Sequence, residues 1–261
     1  VYPYNLVQYS SGTRTSYPEH TMRRSLVWDL PTRLFHWLFA GGFIAAAVIA
    51  LGLRDDSPLF PYHGIIGLAL GLMLVFRVVW GFVGSRHARF RSFAFGPGAV
   101  AGYVKGVLTG RGLRYAGHNP GSAYAIFGML ALMLGLAVTG VMSGRGNDSV
   151  KDVHEVLVWA MIAVAGVHVL GVIVHSLRHR ENLTAGMVHG RKNVQESEGI
   201  RSPRRLAAAV FLLVTGAWTA ALVNAYDPAT RSTTVPALGV SLQLGEAHDG
   251  GDRQYRAGDD D

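Results

Sequence analysis

"KDVHEVLVWAMIAVAGVHVLGVIVH", residues 151–175, decides how this chain folds. Beyond Lys151, Asp152 and Glu155 it carries no formally charged side chain. About 20 mostly apolar residues suffice to cross the hydrocarbon of a bilayer, so the stretch reads as a membrane-spanning helix. It nevertheless holds three imidazoles, His154, His168 and His175, fourteen and then seven residues apart. Ionisable groups inside a membrane are costly, which makes them functional candidates by default.

Four more windows share this character: 33–53, 62–84, 121–143 and 205–226, alongside 153–176 for the stretch itself. Charged residues make up 16% of the 261, where about 25% is usual for a soluble domain. The chain is therefore expected to be an all-α integral membrane protein, a four-helix bundle plus a fifth transmembrane helix. Cysteine is absent. That excludes disulfides, thiolate metal sites and the thioether attachment of a c-type haem, so any metal or haem must be held mainly by histidine.

The net charge of +7 is a topology signal rather than a nucleic-acid footprint. Loop 85–120 has six Lys/Arg and no acid, and loop 177–205 has seven bases against three acids. The intervening loops near 54–61 and 144–152 are neutral or slightly acidic, and the segment after 226 has seven acids against three bases. Bases alternate with their absence from span to span, as the positive-inside rule requires. The expected placement is the bacterial inner membrane, N-terminus cytoplasmic and C-terminus periplasmic.

Four regions are expected along the chain. Residues 1–24 form a polar extension, with Met22 as the natural start and no signal-peptide core before it. Residues 25–195 form the four-helix membrane domain, 196–226 a connector and the fifth span, and 227–261 an acidic extracytoplasmic tail, extended or partly disordered. In "WDLPTRLFHW" (28–37), Asp29 and Thr32 offer caps, Pro31 suits a first turn, and Trp28 and Trp37 suit the headgroup region. A surface helix is expected over 98–109.

Histidines in the first four spans form a geometric set. His36 and His63 lie near the starts of successive antiparallel spans, hence at opposite faces. His154 starts span four at the depth of His63. At about 1.5 Å per residue, fourteen residues carry His168 roughly 21 Å onward, to the depth of His36. Fourteen steps of about 100° end within about 40° of whole turns, so His154 and His168 share a face. Two pairs emerge, His36 with His168 and His63 with His154. Facing imidazoles of this kind can clamp a haem iron, and Gly67, Gly71 and Ala165 leave low walls beside them. Small residues equally serve helix contact in lipid, and a lone histidine at a helix end is more often an interfacial residue than a ligand. Four that pair by depth and face point to two haems.

His175 has no equally placed partner and is a candidate propionate or quinone contact. His87, His118, His179, His189 and His248 read as solvated. Arg77, fourteen residues after His63, shares that helix face. Either it meets a haem propionate, or it snorkels to the headgroups.

"VWDLPTRLFHW", "FRVVWGFVG", "GHNPGSA" and His154–Glu155 followed by His168 resemble the bacterial cytochrome b561 family, with the b-type cytochrome subunit of nickel–iron hydrogenases. The resemblance covers about 25–195. It implies a four-helix membrane bundle binding two haem b, with the family's ligands falling on His36, His63, His154 and His168. It also implies electron transfer between quinone and a redox partner. The identity of that partner does not carry over from the family, and the candidates are a periplasmic c-type cytochrome and a peripheral dehydrogenase or hydrogenase subunit. Superoxide oxidation is a further activity in that family, and the acidic tail argues against it here. The fifth span and the tail fall outside the resemblance. The tail is either a dock for a basic cytochrome or a solvated terminus. The rival from another class is a haem-free histidine-relay transporter or proton channel. It would want polar groups joining the histidines, and between His154 and His168 only Glu155 and Trp159 carry them. A purely structural anchor would leave the matched pairs unexplained.

Overall fold

A computed structural model describes residues 22–109 and 115–245. The expectations for 1–21, for the tail beyond 245 with His248, and for the His179 side chain lie outside the described residues.

Among the described residues, five helices are long and apolar enough to span a membrane. They are α1 (Leu30–Gly52), α2 (Pro61–Val83), α4 (Pro120–Gly144), α5 (Lys151–His179) and α7 (Arg205–Asn224), with a short α3 (Pro97–Thr109) and α6 (Leu183–His189) between them. Their starts follow from local chemistry. Asp29 accepts from the Thr32 amide at 2.9 Å and Asn119 from the Ser122 amide at 2.8 Å, each followed by a proline in the first turn. A side-chain acceptor satisfies an orphan amide there, and a proline has none to orphan.

Helices α1 and α2 pack as one hairpin, α4 and α5 as another, and α2 joins the two through α4. Helix α7 lies against α1 and α2. The shared core holds Phe35, Leu70, Met73, Leu74, Met133, Leu136, Met161 and Phe211. Most of the remaining apolar surface faces outward, including Val156, Val167, Leu170 and Leu177 of α5. In lipid such a surface is at home.

Two small sheets depart from the all-helical expectation. Strand β1 (Met22–Leu26) pairs antiparallel with β2 (Arg191–Gln195), from Met22 opposite Gln195 to Leu26 opposite Arg191. It straddles the boundary expected at residue 24 and ties the start of the bundle to the segment after α6. At the opposite end, β3 (Tyr226–Asp227), β4 (Ser232–Val235) and β5 (Val240–Gln243) form a three-stranded meander. The expectation of an extended or partly disordered tail fails over 227–245. The strands are too short to show periodicity, and their buried residues, Thr233, Val235 and Leu242, are covered by the bundle. Trp28, expected among headgroups, is buried against Val27 and Val194.

Candidate functional site

The bundle has a basic end, near β1 and β2, and a meander end. Each holds one of the expected histidine pairs.

At the meander end His63 sits in the first turn of α2 and His154 in the first turn of α5, with ring centroids 6.2 Å apart and planes at 81°. His63 Nδ1 lies 3.0 Å from the Ala46 carbonyl of α1. A carbonyl only accepts, so Nδ1 carries the proton and Nε2 keeps its lone pair. His154 Nδ1 lies 2.8 Å from Thr139 Oγ1, whose hydroxyl donates to the Gly135 carbonyl at 2.8 Å. With its one proton directed there, Thr139 accepts from His154 Nδ1–H, and this Nε2 is also bare. Tying Nδ1 to a fixed acceptor is how proteins orient a ligating imidazole. Gly140 lines the same ring. A Cβ there would stand 3.5 Å from His154 Cε1.

At the basic end His36 and His168 stand close enough for their ring charges to interact. His168 Nδ1 is buried without a protein partner. Arg77 is only 4% exposed, which rules out snorkelling. Its guanidinium lies 5.0 Å from the centre of the Phe90 ring, within the field of Asp29, and its Nη1 is buried and unpartnered. Asp29 is fully buried and accepts from Trp80 Nε1 at 3.1 Å as well as capping α1.

Two histidines read as solvated are not. His118 packs against Trp28 and Phe93, ring centroids 4.6 and 4.4 Å away, and its Nδ1 is shut off from solvent. Burial, then the charge of Arg77, pushes its imidazole well below the ordinary range. His87 is buried and bonded to the Glu198 carbonyl at 2.8 Å, and burial lowers it too. The signal was available in "GHNP", where the histidine directly precedes a helix cap beside an aromatic cluster. His189 is exposed, as expected. His175 does have a partner, Glu181 at 3.9 Å in the loop after α5. Hydrogen bonding to His175, with Lys192 alongside, holds the Glu181 carboxyl below its usual range.

Among the described residues no three His, Asp or Glu side chains converge as a bare metal ion would need. Two facing imidazoles fit a different demand. With metal–nitrogen bonds of about 2 Å, rings gripping one iron from opposite sides stand roughly 6 Å apart, the separation of His63 and His154. The two bare Nε2 atoms would suit a haem iron, and at the other end of the bundle the orphaned Arg77 Nη1 would suit the carboxylate of a bound group.

Residues 27–190 match the family model of prokaryotic cytochrome b561. Similar chains include the probable Ni/Fe-hydrogenase B-type cytochrome subunit of Rhizobium leguminosarum bv. viciae, 24% identical over 217 residues, 66% of this chain and 90% of that one. The protein of the same name from Rhodobacter capsulatus is 23% identical over 219 residues, 65% of this chain and 82% of its own length. That from Azotobacter vinelandii is 26% identical over 209 residues, 63% and 86% respectively. No solved structure matches. With the matched segment spanning the first four of its membrane helices, this chain belongs to the prokaryotic cytochrome b561 family of b-type, electron-carrying membrane cytochromes.

Proposed function

We propose that the chain is a transmembrane electron conduit holding two b haems, one between His36 and His168 at the cytoplasmic side, the other between His63 and His154 at the periplasmic side. The observation that carries this is the His63–His154 pair, 6.2 Å apart, with both Nδ1 atoms committed to acceptors in the protein. Each haem, when bound, supplies a one-electron couple. The chain's own residues do the rest. Ala46 and Thr139 orient the imidazoles, Arg77 balances a propionate, and the apolar core keeps water out, which together set the potentials.

Residues 25–195 carry this machinery, 196–226 the connector and fifth span, and 227–261 the periplasmic segment. The basic loops 85–120 and 177–205 support a reading with the N-terminus in the cytoplasm of a bacterial inner membrane. Electrons pass between the quinone pool and a redox protein, either a c-type cytochrome or a dehydrogenase or hydrogenase subunit. The names of the similar chains favour the last.

Purification from haem-replete cells tests this. A reduced-minus-oxidised spectrum with b-type α bands and a pyridine haemochrome of two haems per chain is expected. His168→Ala removes one haem and His63→Ala the other. A colourless protein favours the histidine-relay transporter, and loss of both haems from either variant in a folded protein breaks the pairing.

A further inference from the structure

Helix α7 and the meander lie beyond residues 27–190, the stretch shared with the family. They nevertheless close on the His63–His154 end at several points. Leu222 of α7 and Leu242 of β5 share one buried cluster with Ile65, two residues after His63, and with Val235 and Leu244. Gly64, next to His63, admits Leu244 so closely that a Cβ there would stand 2.7 Å from Leu244 Cδ2. On α4, a Cβ at Gly144 would stand 3.1 Å from the Gln243 carbonyl. Arg231, itself buried, donates to the carbonyls of Asp55 at 3.0 Å and Asp56 at 2.5 Å, in the loop joining α1 to α2. Thr233 Oγ1 donates to the Leu222 carbonyl at 2.9 Å, locking the meander to α7. The module is thus strapped to the α1–α2 loop, the first turn of α2 and the last turn of α4, the elements surrounding the pair.

We propose that α7 and the β3–β5 meander are a built-in cap over the His63–His154 pair, which keeps water off the group held there. The proposal rests on the reading of that pair as a haem site. The iron–porphyrin core of a haem held by these two neutral imidazoles, its carboxylates apart, would carry net positive charge when ferric and none when ferrous. Dry surroundings disfavour the more charged state and raise the site's potential. Leu244 and Arg231 are then positioning residues, acting through the cap rather than on the haem.

Three variants of the full-length haem-loaded protein test this: Gly64→Ala, Leu244→Asp and Arg231→Ala. Gly64→Ala pushes Leu244 off α2 while raising helix propensity, so a melted α2 cannot account for its effect. The readouts are the midpoint potential of the haem that His63→Ala removes, and its rate of oxidation by aqueous ferricyanide. The potential of that haem is expected to fall and its oxidation to accelerate severalfold, with the other haem unmoved. Unchanged potential and rate in all three variants overturn the cap, as does an equal fall at both haems, which would report general loosening. A wild-type protein with fewer than two haems would instead overturn the underlying haem assignment.

Discussion

The two ends of the bundle present the same side-chain type twice and finish it in different ways. At the meander end the protein completes its own hydrogen bonding, with His63 and His154 each giving Nδ1–H to an acceptor on a neighbouring helix. At the basic end His168 Nδ1, Arg77 Nη1 and His118 Nδ1 stay buried without protein partners. Buried polar groups are nearly always satisfied, so the two ends differ in where their partners come from. One end is preorganised by the fold. The other has donors that suit the carboxylates of a bound group.

The sharpest way to break this contrast is at Arg77. If it faces a propionate, Arg77→Leu leaves a buried carboxylate unpaired, at a cost of about 3–5 kcal/mol. Release of the basic-end haem to an apomyoglobin trap should speed up greatly while the other haem stays. An unchanged release rate would mean that no anion meets Arg77. Thr139→Val probes the other end more gently. Loss of an orienting partner typically weakens a metal site about 10–100-fold, so release of the His63–His154 haem should accelerate within that range, with Thr139→Ser near wild type. Equal acceleration at both ends would show that Thr139 acts on packing rather than on His154.

The smallest effect is a pH dependence confined to the basic end. Burial holds His87 and His118 below the ordinary imidazole value of 6.5. The folded protein then binds fewer protons than the unfolded chain in that range. The stabilisation is complete above pH 6.5 and lost as pH falls below it, by at most about 1.4 kcal/mol per group per pH unit. Around His87, Arg86 and Lys192 lower the value further and Glu198 opposes them. Corrected for the slower intrinsic exchange at lower pH, the protection of amides in residues 85–109 should fall between about pH 7.5 and about pH 5.5 while that of residues 226–245 holds steady. An equal loss of protection in both segments would remove the contrast.

Much of the architecture was legible beforehand. The window 62–84 became Pro61–Val83 and 121–143 became Pro120–Gly144, because a bilayer demands length and apolarity that composition displays directly. The meeting of His63 with His154 was legible too, since rise and rotation along a helix convert spacing into depth and face. Other contacts were hidden because they join residues far apart in sequence. Asp29 reads as a cap, and only the fold adds Trp80 Nε1 to its second oxygen. His118 reads as a loop residue until Trp28 and Phe93 close on it.

By itself, then, the sequence determined the spans, their alternation across the membrane and the levels at which four histidines stand, because all of these follow from hydrophobicity, charge and helical period. Only the tertiary structure decided which atoms complete each imidazole, that Arg77 is buried rather than snorkelling, and that residues 226–245 fold over one end. Strands of two to four residues carry no period of their own. They exist because Leu222, Ile65 and Gly64 offer them a surface.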